Sequence, residues 1–164
     1  MPAVAALAKR VGSFAKLPLF MQLWAVPVWF MLGASKCVVL AVPFRKVASR
    51  LGCSVGLEPW IPILSEAQNR RAFQIGRVIR KVARLTPWDS NCFPQAVTAR
   101  LLLGLYGVPY ALYFGLMREA GSSAMKAHAW VVAGRIWVTG GDSFDQYAIV
   151  GMYVCPRLRP RSAG

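Results

Sequence analysis

P-W-D-S-N-C-F-P-Q, Pro87 to Gln95, is the stretch on which the reading of the chain turns. Pro87 pushes Thr86 out of helical geometry, so the preceding helix has to stop there. Asp89, Ser90 and Asn91 are each able to cap a new helix. Pro94 falls within that helix's first four positions, where a missing N–H removes no intrahelical bond. Cys92 therefore stands in the first turn of a helix expected to run to about Leu105, just before Gly107.

Upstream, Ser65 is the expected N-cap of a long helix reaching about Leu85. Ile75, Val78, Ile79, Val82 and Leu85 keep one apolar face, and Arg70, Arg77, Lys81 and Arg84 lie mostly opposite. That basic face reads as solvated surface, with anion binding as the alternative. Gly52, Gly56, Pro59 and Pro62 mark an internal boundary. Pro43 and Phe44 open a short basic helix ending near Gly52. Residues 1–16 read as a helical lead-in.

Leu17 to Ser35 carries no charge, and by length alone it could span a bilayer. Pro18 and Pro27 are expected to interrupt it and Lys36 to cut it, so a helix packed on the domain is the first reading. Attachment to an anionic membrane surface, helped by Lys16, Arg45, Lys46 and Arg50, is the second.

Downstream of Gly107 the hydrophobic period changes to two. Tyr110–Met117 reads as a strand. Ala127–Val132 and Arg135–Thr139 read as a hairpin turning at Ala133-Gly134, and Tyr147–Val154 as a last strand before a basic tail. Helices first and antiparallel strands second make an α+β class.

Composition narrows the partners more than the fold. The 164 residues suffice for one ordinary core, and 56% hydrophobic against 16% charged content excludes a disordered chain. Twenty Lys plus Arg against six Asp plus Glu give a net charge of +14, a field that favours polyanions, anionic membranes or acidic peptides without choosing among them. Cys37, Cys53, Cys92 and Cys155 match no disulfide framework, and one histidine with no C-x-x-C pair argues against structural zinc. The N-terminus places its apolar residues before its charges, unlike a secretory signal. Reduced thiols and a cytoplasmic location are expected.

A thiol at a helix start lies beside orphan backbone N–H groups and the positive end of the macrodipole, which favour thiolate and can hold an oxyanion. His128, on the strand around K-A-H-A-W-V, is the sole histidine and the candidate base for acyl chemistry on amides. Free cysteines are more often buried and inert, and that reading is taken for Cys37, Cys53 and Cys155. The polar Asp89-Ser90-Asn91 run sets Cys92 apart. A lone strand histidine is also at home as a packed core residue.

W-D-S-N-C-F-P-Q-A (Trp88–Ala96), L-L-L-G-L-Y-G-V-P-Y-A-L-Y-F-G-L (Leu101–Leu116), K-A-H-A-W-V (Lys126–Val131) and V-T-G-G (Val138–Gly141) together resemble the B proteins of lasso-peptide biosynthesis. These are leader peptidases of the transglutaminase-like branch of the papain-type cysteine peptidases. Val42-Pro43-Phe44-Arg45 and Ser49-Arg50-Leu51-Gly52 echo further family wording, so the resemblance runs roughly from Pro43 to Tyr153.

It implies a papain/transglutaminase-like α+β core over residues 59–164, preceded by an apolar helical extension over 1–58. It implies Cys92 as nucleophile, His128 as base, no cofactor and no nucleic acid. The reaction would be hydrolysis of the bond joining leader to core in a precursor peptide, after which an ATP-dependent macrolactam synthetase closes the core. The residues before Ser65 lack the strands of the winged-helix-like domain that reads leaders in this family. A standalone peptidase with a leader-recognition partner is therefore expected.

The third catalytic member is open. A turn at Ala133-Gly134 sets His128 opposite Thr139, and Asp142 then lies nominally on the other face. A bulge at Gly140-Gly141 would bring Asp142 back, with Asp145 behind it and a neutral group as the alternative. Trp88, Gln95 and Trp130 are the candidate substrate-binding residues; a place in the core or on a helix surface is the plainer reading of each.

Overall fold

The computed structural model describes residues 17–43, 46–47, 50–57, 60–119, 124–142 and 144–158. The lead-in over 1–16, parts of the short basic helix (44–45 and 48–49) and the end of the basic tail (159–164) lie outside them.

Among the described residues, two of three long helices pack on one face of an antiparallel sheet, and the first packs on those two. The three are α1 (Leu19–Ala41), α2 (Glu66–Ala83) and α3 (Cys92–Leu105). The strands are β1 (Cys53–Ser54), β2 (Ala111–Arg118), β3 (Met125–Ala133), β4 (Ile136–Thr139) and β5 (Ala148–Val154), in the order β1-β5-β2-β3-β4. The fold is α+β, as expected.

α2 begins where its sequence says it should. Ser65 Oγ accepts from the Gln68 N–H, and the Gln68 side chain accepts from the Ser65 N–H, a reciprocal cap. Its buried stripe, Ala72, Ile75, Val78, Ile79 and Val82, joins the main core with Leu102 and Leu103 of α3 and Val131 of β3. Gly76 lets α2 approach the sheet: a Cβ there would stand 2.8 Å from the Val138 carbonyl oxygen.

α1 departs from expectation. It runs unbroken through Pro27 and Lys36, with Pro18 at its N-cap. The Pro27 ring faces outward, on the same exposed side as Leu23 and Val26. The inner side of α1 is anchored firmly. Phe20, Met21, Val28 and Leu32 enter the main core. Trp24 Nε1 donates to Tyr106 Oη at 2.6 Å, and the Arg71 guanidinium lies 4.8 and 4.5 Å from the Phe20 and Tyr106 ring centres.

The hairpin also differs by one position. Its two turn residues are Gly134 and Arg135, with Ala133 paired to Ile136. Gly134 holds φ +59°, a conformation that Ala133 would adopt only at a cost. A two-residue turn with glycine first follows the II′ pattern. The irregularity in register lies between Val131 and Val132, where Val131 pairs with Thr139, and not at Gly140-Gly141.

A second, smaller core of Ala111, Tyr113, Trp130, Val132, Met152 and Val154 covers the other face of the sheet.

Candidate active site

One cleft of about 390 Å³ opens where the end of α2, the start of α3 and the segment after β4 meet. It is lined by Arg80, Ala83, Arg84, Ser90, Cys92, Gln95, His128, Gly140 and Asp142. Cys92, His128, Asp142 and Gln95, far apart in the chain, thus share one concavity.

Cys92 is the first residue of α3 and half-buried. Asn91 occupies the N-cap position and its side chain makes no capping hydrogen bond. The thiol therefore stands at the positive end of α3, on the wall of the cleft.

The turn before Cys92 is braced from three sides. Ser90 is buried, with Oγ 2.9 Å from Thr86 Oγ1, and its carbonyl accepts from Gln95 Nε2 at 2.6 Å. Lys36 Nζ on α1 donates to the Asp89 carbonyl at 3.1 Å. The Trp88 ring sits 4.7 Å from Trp29 and against Gly33.

His128 sits on β3 over a bed of rings, with Tyr147 at 4.9 Å and Trp130 at 5.7 Å between ring centres, both stacked. Its pairing partner on β2 is Gly115, where a Cβ would stand 2.6 Å from the Tyr147 Cβ. The imidazole Nε2 lies 2.8 Å from the Gly140 carbonyl oxygen. A carbonyl only accepts, so Nε2 carries the proton and Nδ1 keeps the lone pair that a general base needs.

The ladder of the hairpin ends where Val131 pairs with Thr139. Beyond it the chain folds back, so that a Cβ on Gly141 would stand 2.9 Å from the Trp137 Cβ, and this turn carries Asp142 to the cleft wall. Asp142 is exposed, and its carboxylate acts electrostatically on Arg80. Burial lowers the pKa of the Arg80 guanidinium; Asp142 raises it, and Arg84 and Arg77 lower it further. Asp145 lies exposed in the turn Phe144–Gln146 and does not line the cleft.

Two of the candidate substrate residues, Trp88 and Trp130, are not among those that line the cleft. Trp88 packs inward against α1. Trp130 is 2% exposed, sandwiched between Tyr113 and His128. Trp130 belongs to the second core, whereas Trp88 stays half-buried against the helix layer. Gln95 lines the cleft with its amide committed to Ser90. Of the other cysteines, Cys155 is buried, Cys53 is half-buried and Cys37 is exposed on α1, contrary to the buried reading.

Arg80 and Arg84 went unread as cleft residues. They lie one turn apart on α2, and only its docking angle against β4 shows that this edge faces Cys92.

Neither a curated protein nor a solved structure matches the chain. A family profile described as transglutaminase-like superfamily matches residues 38–151, from within α1 to within β5. That span includes Cys92, His128, Gly140 and Asp142, and with the three helices and an antiparallel sheet it shows that the chain belongs to the transglutaminase-like superfamily.

Proposed function

We propose that this protein is a cysteine peptidase that cuts the leader from a lasso-peptide precursor. The observation that carries the chemistry is the shared cleft, with Cys92 at an uncapped helix start and His128 held through Nε2 by Gly140. The precursor class rests on the motif resemblance from Trp88 to Gly141.

His128 Nδ1 takes the Cys92 proton, and Sγ attacks the scissile carbonyl carbon. The oxyanion that forms accepts from N–H groups at the open end of α3. Imidazolium then protonates the departing amine, the C–N bond breaks, and the leader remains as a thioester on Cys92. Water, giving its proton to His128, attacks the thioester; the C–S bond breaks and the leader leaves with a carboxylate. The freed core amine is the group a partner ATP-dependent macrolactam synthetase closes into a ring. A leader-recognition protein of winged-helix-like fold presents the precursor. Asp142 stands on the cleft wall beside this machinery, and the Gly140 carbonyl is the neutral group that orients His128.

Cleavage of precursor peptide in the presence of the leader-binding partner tests the reading. Cys92→Ala should abolish it, and retained cleavage would overturn it. Acyl transfer to an amine in place of water uses the same steps, and the mass of the leader product separates the two.

A second reading is favoured by the outer side of α1. This helix is long and apolar enough to cross a membrane by length and composition. Leu23 and Phe30, 63% and 64% exposed, lie on a side that also presents Leu19, Val26, Cys37 and Val38 and no charged residue. With a net charge of +14, this ridge suits peripheral attachment to an anionic bilayer. A catalytically inactive polyanion- or membrane-binding module on the same fold would keep that binding and never cleave peptide. Co-flotation with anionic vesicles, lost in Leu23→Ser/Phe30→Ser, supports attachment; wild-type protein that stays in the soluble fraction refutes it.

A further inference from the structure

The cleft beside Cys92 has a charge pattern that peptide hydrolysis does not require. Arg80 and Arg84 project from successive turns of α2 into the same concavity as the thiol and the imidazole. The salt bridges among the described residues are Arg70–Glu66 and Lys126–Glu119, so neither cleft arginine is in one. Arg80 is held in place, with Nη1 donating to the Trp137 carbonyl at 3.2 Å and to that of Val138 at 2.7 Å. Asp142, the acidic residue of the lining, acts on Arg80. Arg84, exposed at the C-cap of α2, thus brings a guanidinium to the cleft mouth with no ion-pair partner. Arg77 lies close enough to add to the positive field.

A forked, permanently charged donor at the rim of a partly enclosed site is suited to a planar carboxylate. We infer that the cleft is a carboxylate subsite, in which Arg84, backed by Arg80, holds an acidic group of the substrate next to the carbonyl that Cys92 attacks. This rests on Cys92 as nucleophile, and it adds a class of substrate: peptides with an Asp or Glu side chain, or a chain-terminal carboxylate, close to the scissile bond. The thiol approaches a carbonyl carbon whose neighbouring anion has already been neutralised and fixed, so the same arginines contribute orientation as well as selection.

The test reads the cleft without needing the natural substrate. Iodoacetate and iodoacetamide alkylate a thiol by the same displacement of iodide and differ in the carboxylate. The ratio of their rates at Cys92, followed by mass spectrometry of the intact chain and its peptides, therefore reports anion preference, and changes in thiol reactivity cancel. Exposed Cys37 in the same molecule is the internal reference for the overall positive charge. The wild-type ratio at Cys92 is expected to exceed that at Cys37 about fivefold, the order of effect of one unit charge at a partly solvated distance. Arg84→Gln should bring the two ratios together, Arg84→Lys should keep part of the difference, and Arg70→Gln, an equal change of charge outside the cleft, should leave it. Equal ratios in the wild type, or a Cys92 ratio indifferent to Arg84→Gln, overturn the subsite.

A peptide arm separates the sources. Cleavage sites in a mixed peptide digest should show an acidic residue at a fixed offset, or else cluster near chain ends, and Arg84→Gln should erase that pattern. Cleavage by the wild type with no acidic preference overturns the subsite and leaves the peptidase. A fivefold alkylation preference, with no cleavage of precursor peptide in the presence of the leader-binding partner, supports the subsite and overturns the peptidase.

Discussion

His128 Nε2 and the carbonyl oxygen of Gly140 lie 2.8 Å apart, so the backbone after β4 holds the imidazole. Gly140 manages this at φ +70°, with its α-carbon so close to β3 that a Cβ would stand 2.5 Å from the Ala129 carbonyl oxygen. Gly140→Ala should therefore displace the carbonyl that orients His128. Turnover is expected to fall on the order of 10²-fold, and stability by about 1–3 kcal/mol. Precursor cleavage and urea denaturation check the two effects separately, and unchanged turnover would show that the carbonyl is dispensable.

Asp142→Asn separates the carbonyl from the carboxylate. With Gly140 as the orienting group, cleavage should fall by less than about tenfold, whereas loss of an orienting carboxylate costs on the order of 10⁴-fold in serine peptidases. The same variant frees Arg80 of its negative neighbour, so the iodoacetate preference at Cys92 should rise. Rate constants for cleavage and alkylation in one preparation give both numbers.

Gly76→Ala tests the contact between α2 and β4. The added methyl would meet the Val138 carbonyl oxygen at 2.8 Å and Arg80 Nη1 at 3.0 Å. The helix-propensity gain of about 1 kcal/mol is smaller than the cost of parting α2 from the sheet, so a net loss of about 1–2 kcal/mol is expected. A thermal midpoint lowered by several degrees is the readout; a raised midpoint would mean that the layer yields freely.

Alkaline pH should weaken the fold through two tyrosines. Burial raises the hydroxyl pKa of both Tyr110 and Tyr113, while Tyr110 Oη donates to the Leu51 carbonyl and Tyr113 Oη to that of Trp60. The unfolded chain releases these protons near the ordinary tyrosine value of about 10. The stability they contribute is therefore complete below that pH and is lost as pH rises through the higher folded values. Urea midpoints measured between pH 8 and 11 should drop, and Tyr113→Phe should flatten the decline.

What the sequence made legible was local. Ser65 as a cap, the break at Pro87, the start of α3 at Cys92 and the positions of four strands each follow from residue chemistry within a few positions. What it hid was non-local. Whether a two-residue turn takes Gly134 first or second shifts the facing register, and the irregularity at Val131 adds to that shift. Neither signals the turn after Thr139 that brings the Gly140 carbonyl to His128 and Asp142 to the cleft wall. That Trp88 and Trp130 lie outside the cleft lining is not legible in the sequence, because an indole suits a groove and a core equally. Their packing depends on α1 and Tyr113, neither of which is near them in the chain. The path of α1 through Pro27 was hidden too, since the core contacts that hold the helix on both sides of the proline, from Phe20, Met21, Val28 and Leu32, are made with residues far along the chain.

Arg80 also has a bearing on association between molecules. β4 is the rim of the sheet, and a rim strand normally offers unpaired backbone groups to any extended chain that drifts past. Two of its carbonyls, those of Trp137 and Val138, are already taken by one guanidinium. At the opposite rim, β1 is two residues long. The sheet has thereby little exposed ladder on which an extended chain, or a neighbouring copy, could start to build.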